Sequence, residues 1–237
     1  MADTPLYKQR RKYTREIHDV HLHGNHKLHV LCTSKVKDVE KMLSTFRRKL
    51  GGMPVKLVGV DVEYTHYKKP QRAAVLQLCV EKECLVDDIS AAKDRPMELD
   101  KFIMNYEYTF VGFAIEGDKS KLKVSGLEIN FDNYIDIQVE WRDPYNKKKF
   151  DSLADVPGRM IDIHYHDMKK KINRKEDHTL WGFCPLPEKL IKYAAIDAFA
   201  TYESWRIIYD VIMGLVRAKR DKEAKKKKNK AIIQYNN

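Results

Sequence analysis

The chain has 237 residues, of which 43% are hydrophobic and 10% aromatic, so it contains enough apolar material for a folded core and is not a disordered chain. It has no stretch near the roughly 20 apolar residues that cross a bilayer, and the polar N-terminal region lacks the apolar run of a signal peptide. The four cysteines form no Cys-x-x-Cys pair and are interpreted as reduced thiols. We therefore expect an intracellular protein of the cytoplasm, the nucleus or both, with no membrane partner.

The positive charge is concentrated at the C-terminus. The chain carries a formal charge of +11, and residues 217–237 contain nine lysines and arginines against two acids. A run such as 225–228 repels itself, which is typical of a solvated tail, although a polyanion-binding arm or a nuclear-import signal would have the same composition. We predict a basic N-terminal segment (1–14), one folded domain (15–216) and a basic disordered tail (217–237), with nucleic acid as a plausible partner.

The first elements in chain order are a hairpin and a helix. Alternating apolar residues over 15–22 and 27–32, separated by Gly24 and Asn25, predict two hairpin strands. His21 and His23 share one face of the first strand, so a zinc site there is conceivable, but exposed imidazoles without a ligand are more common. Apolar residues with helical spacing over 37–50, ended by two glycines, predict a helix.

The middle of the chain alternates between strand and helix patterns. Three β-branched runs with short links predict an antiparallel meander over 55–64, 74–80 and 84–86. A helix (96–105), a strand (108–115), a short helix (119–124) and a strand (133–139) follow. This change from meander to βαβ indicates an α/β fold with a mixed central sheet covered by helices. The apolar pattern of 187–220 predicts a buried helix that turns basic where the chain leaves the fold.

Several carboxylates occupy positions where solvation is difficult. Asp61 and Glu63 are two apart on a predicted strand, so they project from one face. Two carboxylates about 4 Å apart repel by roughly 4 kcal/mol at an effective dielectric near 20, which requires protonation, solvent or a bound cation. Asp118 follows an apolar strand, where a helix cap is the simpler interpretation. Asp197 lies in an apolar helix, one turn after Tyr193.

These residues carry a family resemblance. The segments VGVDVEY, VGFAIEGDKSKL and LWGFCPLPEKLIKYAAIDAFATYE resemble the three exonuclease motifs of the DEDDy branch of the DnaQ-like 3′-5′ exonucleases, of the RNase D and Werner type. The chain also resembles the small plant Werner-like exonucleases and RISC-interacting clearing exoribonucleases. The resemblance implies a ribonuclease H-like fold, in agreement with the pattern of strands and helices.

The resemblance also implies a two-metal site. Asp61 would bridge two Mg²⁺ or Mn²⁺ ions, Glu63 and Asp197 would complete the first site, and Asp118 would hold the second ion. Tyr193 would orient the attacking water, because a phenol with a pKa near 10 is a poor base at neutral pH. Tyr64 and Thr65, directly after Glu63, are candidate substrate-binding residues. His164 and His166 are two apart and are weaker candidates for metal ligands.

Two classes of function remain in play. The leading one is a metal-dependent 3′-5′ exonuclease that releases nucleoside 5′-monophosphates from single-stranded RNA or DNA, with RNA favoured through the resemblance alone. The other is a catalytically silent nucleic-acid-binding or scaffold protein on an exonuclease fold. A DNA-directed Werner-like exonuclease is the alternative within the first class. A homo-oligomer and an Argonaute or RISC component are partners that the resemblance allows.

Overall fold

A seven-stranded mixed sheet runs through the centre of the molecule. The structure, a computed structural model, describes residues 12–66, 70–117, 119–142, 148–150, 152–167 and 178–235. The strands lie in the order β1-β2-β5-β4-β3-β6-β7. They comprise Thr14–His21, Lys27–Thr33, Leu57–Tyr64, Ala73–Val80, Glu83–Asp87, Thr109–Gly112 and Tyr134–Asp136 for β1 to β7.

The sheet combines two patterns of pairing. Strands β3, β4 and β5 form the predicted antiparallel meander, and β6 and β7 extend the sheet parallel to β3. The β1–β2 hairpin is antiparallel within itself and joins the meander through parallel pairing of β2 with β5. The predicted fold class, a mixed sheet built from a meander and then βαβ units, is confirmed.

Helices cover the two faces of the sheet. The bounds of α1 to α6 are Val36–Gly51, Met97–Ile103, Lys119–Val124, Ile137–Glu140, Asp155–Met160 and Glu188–Tyr235. Helices α1 and α2 bury their apolar sides on one face, which we call the α1 face. Helices α5 and α6 pack on the opposite face, the α6 face. In the described part of the chain, no helix has the length and apolar character of a membrane span.

Strand β3 shows how the sequence assigns side chains to the two faces. Val58, Val60 and Val62 belong to the core under α1, because alternate residues of a strand point to the same side. The residues between them, Gly59 and Asp61, point toward the α6 face. The β3 alternation thus separates a purely apolar side from a side that carries carboxylates.

The later strands are shorter than predicted. Strand β6 ends at Gly112, and Ala114 adopts a positive φ of 56°. Strand β7 ends at Asp136, whose carboxylate accepts a hydrogen bond from the Gln138 backbone N–H and starts α4. The prediction of a strand over 133–139 was therefore wrong after residue 136, because Ile135 and Ile137 prolong an alternating pattern that the Asp136 cap interrupts.

The C-terminal segment also differs from expectation. Helix α6 continues to Tyr235, where the sequence predicts a disordered tail from residue 217. Residues 215–235 contain no glycine or proline, and 12 of the 21 are Lys, Arg or Ala, all strong helix formers. This backbone propensity explains why the helix continues where the charge pattern predicts a disordered tail.

Candidate active site

The site begins with two carboxylates on β3. Asp61 and Glu63 are both half-buried, and their two-residue spacing directs them to the α6 face as predicted. Across the sheet, Asp61 pairs with Gln77 and Glu63 pairs with Val75 of β4. Strands β4 and β6 flank β3 in the sheet, but β6 pairs only with Leu57 to Gly59. Asp61 and Glu63 therefore lie past the end of β6, with β4 as their paired neighbour.

Helix α6 crosses β3 at very close range. A Cβ atom added to Gly59 would lie 2.3 Å from the Ala198 carbonyl oxygen and 2.7 Å from Tyr202 Cβ. Only a residue without a side chain allows this approach. Because Asp197 directly precedes Ala198, the same contact brings its carboxylate to the β3 acids.

The three carboxylates form one cluster. Asp61, Glu63 and Asp197 each offer an oxygen, and these oxygens lie within 4.8 Å of one another. Asp197 is only 7% exposed. Three acids this close, one of them buried, repel strongly unless a cation lies among them, and an all-oxygen donor set suits hard divalent ions such as Mg²⁺ or Mn²⁺. The residues present therefore fit the metal that their pattern implies.

Tyr193 lies beside this cluster. Its pKa is raised far above the usual value of 10, first because the phenol is buried and then because Asp197, Glu63 and Asp61 are close by. The phenol is also hydrogen-bonded to Asp197. A raised pKa favours the protonated phenol, which suits a hydrogen-bond donor better than a base.

The motif that contains Asp118, the second of the three, is described only in part. Asp118 lies outside the described residues, between a 3₁₀ turn at Ile115–Gly117 and α3. The turn that leads to it is held by Asp136, whose carboxylate accepts from the backbone N–H groups of Ala114 and Ile115, both at 3.0 Å. Sequence analysis missed Asp136. Its position after the last apolar pair of a strand is a capping signal that was available.

The two candidate substrate-binding residues lie on different sides of the sheet. Thr65 is on the carboxylate side, where a Cβ added to Gly182 would be 3.9 Å from its methyl carbon. Tyr64 packs against the core of the α1 face, and the Lys121 ammonium lies 4.4 Å from its ring centroid. Thr65 is therefore the better placed of the two to contact a ligand of the carboxylate cluster.

A second residue missed by the sequence analysis is Gln77. It pairs with Asp61 in the β3–β4 register, so it lies on the carboxylate side of the sheet. It is fully buried, and in the part of the chain that the structure describes neither its amide nitrogen nor its amide oxygen has a hydrogen-bond partner. Burying an unpaired amide costs stability. A glutamine inside the apolar run AAVLQLCV was the available signal.

The predicted histidine ligands are not brought together. His23 lies beyond β1, and its Nδ1 is 2.7 Å from the Tyr165 hydroxyl. His166 Nδ1 lies 3.5 Å from Asp155. Within the described ranges, the groups with metal-ligand spacing include neither His21 with His23 nor His164 with His166.

Comparisons with known proteins identify the family of this chain. Residues 34–213 match the 3′-5′ exonuclease family. The mouse bifunctional 3′-5′ exonuclease/ATP-dependent helicase WRN is 32% identical over 151 residues, which are 61% of this chain and 10% of WRN. This chain thus matches only a tenth of that relative's length.

Solved structures share the fold at low sequence identity. The exonuclease domain of Aedes aegypti Nibbler has a TM-score of 0.56 at 16% identity, over 74% of this chain and 86% of that chain. The GMP complex of Trypanosoma brucei RNase D has a TM-score of 0.55 at 14% identity, over 73% and 56% of the two chains.

The fold and its carboxylate cluster define the class of ribonuclease H-like nuclease domains. Because the family match covers most of the chain, this protein belongs to the 3′-5′ exonuclease family, of the DnaQ-like type with the DEDDy pattern.

Proposed function

We propose that the protein hydrolyses single-stranded nucleic acid from the 3′ end to nucleoside 5′-monophosphates, with RNA favoured over DNA. The observation that carries the proposal is the meeting of Asp61, Glu63 and Asp197 beside a protonated Tyr193. The catalytic unit is a single domain over 15–216. Membership of the exonuclease family supports the reaction class.

The acids are assigned as ligands of two divalent ions. Asp61 would be shared between the ions, Glu63 and Asp197 would complete the site of the ion nearest the attacking water, and Asp118 would hold the other ion. Mg²⁺ or Mn²⁺ bound there supplies Lewis acidity for the attacking and leaving oxygens of a phosphodiester. The close packing of α6 on Gly59 supports this assignment, since it fixes Asp197 relative to the strand acids.

Tyr193 is assigned to positioning. Its raised pKa keeps the phenol protonated, so it can donate a hydrogen bond to the scissile phosphate or orient the attacking water without removing its proton. Trp181, whose ring centroid lies 6.3 Å from that of Tyr193, limits the freedom of the phenol. Thr65 is the assigned substrate contact on the carboxylate side, whereas Tyr64, the other candidate, packs on the opposite face of the sheet.

The test is a cleavage ladder on matched substrates. Single-stranded RNA and DNA of one sequence, each 5′-labelled, are incubated with Mg²⁺, Mn²⁺ or EDTA. We expect stepwise shortening from the 3′ end that needs a divalent ion and is faster on RNA. Equal rates would favour a DNA-directed or unselective enzyme, because selection of RNA requires contacts to the 2′-hydroxyl. No cleavage of either strand, together with retained binding, would favour the silent scaffold.

The remaining expectations concern partners and location. We propose a homo-oligomer and association with an Argonaute or RISC component, in the cytoplasm or the nucleus, on the motif resemblance alone. Light scattering of the purified chain and co-purification with an Argonaute protein test the first two, and imaging of a tagged chain tests the compartment.

A further inference from the structure

A row of polar side chains lies across the β1 edge of the sheet. None of its residues belongs to the carboxylate cluster. Ile17 of β1 pairs with Val30 of β2, and the register of the hairpin is irregular between Ile17 and Val20. His18 and His29 are the neighbours of this pair. The two imidazole rings are stacked, with centroids 4.6 Å apart and planes 2° from parallel. His29 in turn pairs with Glu83 of β5. Three adjacent strands therefore contribute to one row.

Glu16 adds a carboxylate to this row. It lies two residues before His18 on β1, and its Oε2 is 3.5 Å from His18 Nε2. Glu16, His18 and His29 each offer a ligand atom, and these atoms lie within 4.8 Å of one another. Ligands of a tetrahedral zinc ion with bonds of about 2.0 Å are about 3.3 Å apart. The lone pairs of two stacked imidazoles lie in parallel planes, so His18 must turn out of the stack for both rings to bind one ion. The Glu16 and His18 side chains are 50% and 68% exposed, which leaves them free to make this change.

The hydrogen bonding of His29 prepares one of its nitrogens for a metal. Its Nδ1 lies 2.5 Å from Glu83 Oε2, and since an ionised carboxylate only accepts, Nδ1 carries the proton. The other ring nitrogen, Nε2, is buried and has no hydrogen-bond partner among the described residues. A carboxylate that orients a histidine through its other nitrogen is the usual second layer of a histidine metal site.

The surroundings leave room for further ligands. A cavity of about 100 Å³ adjoins the row, lined by Glu16, His29 and Glu83 together with Asp38 and Lys41 of α1. Water ligands fit in this volume, as one water occupies about 30 Å³ of liquid. Asp38 already accepts hydrogen bonds from Thr14 and Thr33. Lys41 also lines the cavity, and its positive charge makes the binding of more than one cation there unfavourable.

We infer that Glu16, His18 and His29 form a site for one zinc-like divalent ion, oriented by Glu83 and separate from the carboxylate cluster. Two imidazoles and one carboxylate, with open positions for water, form a donor set that suits Zn²⁺ better than Mg²⁺. The ligands come from β1 and β2, so the ion ties the edge strand β1 to the rest of the sheet.

The experiment measures Zn²⁺ binding in a background that lacks the other site. The full chain carrying Asp61→Asn and Asp197→Asn is titrated with Zn²⁺ against a chromophoric chelator, and Co²⁺ is used as a spectroscopic probe. The comparison adds His29→Gln, His18→Gln or Glu83→Gln to this background, with His21→Gln as the matched control. His21 is an exposed histidine of the same strand that is outside the cluster.

We expect one Zn²⁺ per chain, visible Co²⁺ absorption bands and a metal-dependent rise in Tm. His18→Gln and His29→Gln should remove the bands and weaken Zn²⁺ binding at least tenfold, and Glu83→Gln should weaken it by about 10 to 100-fold. His21→Gln should bind as the background does. Unchanged Zn²⁺ affinity in folded His18→Gln and His29→Gln would overturn the inference, as would absence of binding in the background. Thermal melting of each variant without metal identifies any variant that fails to fold. If His29→Gln fails to fold, His18→Gln still tests the inference, because His18 is exposed.

Discussion

Replacing Gly59 by alanine tests how the active site is assembled. The new Cβ would lie 2.3 Å from the Ala198 carbonyl oxygen and 3.0 Å from the Tyr202 backbone nitrogen. Ordinary contacts require about 3.5 Å or more, and neither backbone atom can rotate away as a side chain would. Helix α6 must therefore withdraw from β3 by about 1 Å, and Asp197 moves with it.

Two effects follow from this displacement. Overpacking of a core contact costs about 1 to 3 kcal/mol of the free energy of unfolding, which lowers Tm by roughly 2 to 4 °C per kcal/mol for a domain of this size. A misplacement of about 1 Å at a reacting centre reduces the rate by about 100-fold. Single-turnover cleavage of a 5′-labelled strand and thermal melting of the same sample measure both quantities.

The control is Gly214→Ala in the same helix. A Cβ added to Gly214 meets no atom within 4 Å, so this variant should cleave normally and gain up to about 1 kcal/mol from helix propensity. If Gly59→Ala cleaves and melts like the unchanged protein, the close approach of α6 to β3 does not position Asp197, and the structural explanation of the site is refuted.

Three further perturbations address single groups. Tyr193→Phe should slow single-turnover cleavage by about 10² to 10⁴-fold and leave Mg²⁺ affinity unchanged, because the phenol contributes a proton and not a ligand. Asp136→Ala leaves three backbone N–H groups without their acceptor, so it should lower the free energy of unfolding by about 1 to 3 kcal/mol and slow cleavage through the loosened turn. Asp87→Asn should raise stability above about pH 7, because burial, followed by repulsion from Asp88, raises the pKa of Asp87 to about 7. The folded carboxyl thus holds its proton more tightly than the unfolded one. Its contribution to the free energy of unfolding is complete below about pH 4, and roughly 4 kcal/mol of that free energy is lost as the pH rises to about 7.

Matched controls separate these effects from general damage. Asp132→Asn and Asp94→Asn alter exposed acids and should change neither stability nor its pH dependence. An unchanged rate in Tyr193→Phe would show that the phenol only packs beside Asp197. A Tm of Asp136→Ala equal to that of Asp132→Asn would mean that the turn holds without its carboxylate. Parallel stability–pH curves for Asp87→Asn and the unchanged protein would contradict the assigned protonation of Asp87.

Local periodicity in the sequence was sufficient to predict which side chains of the carboxylate cluster share a face of a strand or a helix. The two-residue spacing of Asp61 and Glu63 predicted one strand face, and the four-residue spacing of Tyr193 and Asp197 predicted one helix face. Both predictions are confirmed by the cluster in the structure. The chain order of strands and helices likewise predicted the mixed sheet, because each change between periods of two and 3.6 residues marks a change of element.

Features that depend on distant parts of the chain were not predictable. The parallel pairing of β2 with β5 joins residues more than 50 positions apart, and no local pattern specifies such a partner. Only the contact of Glu83 with His29 depends on that pairing, because His18 and His29 lie on the two strands of the predicted hairpin. The requirement for glycine at position 59 depends on a helix that follows it by well over 100 residues.

The most direct test of the central claim is metal-dependent cleavage by Asp197→Asn. The substitution removes one charge from the cluster without changing its size, and Asp210→Asn, at an exposed acid of the same helix, is the control. Time courses with a 5′-labelled single strand are recorded at increasing Mg²⁺. We predict that the protein and Asp210→Asn shorten the strand from its 3′ end in Mg²⁺, whereas Asp197→Asn leaves it intact at every Mg²⁺ concentration while its Tm without metal is unchanged or higher. Substantial Mg²⁺-dependent shortening by Asp197→Asn would contradict the assignment of the three-carboxylate cluster as the catalytic metal site.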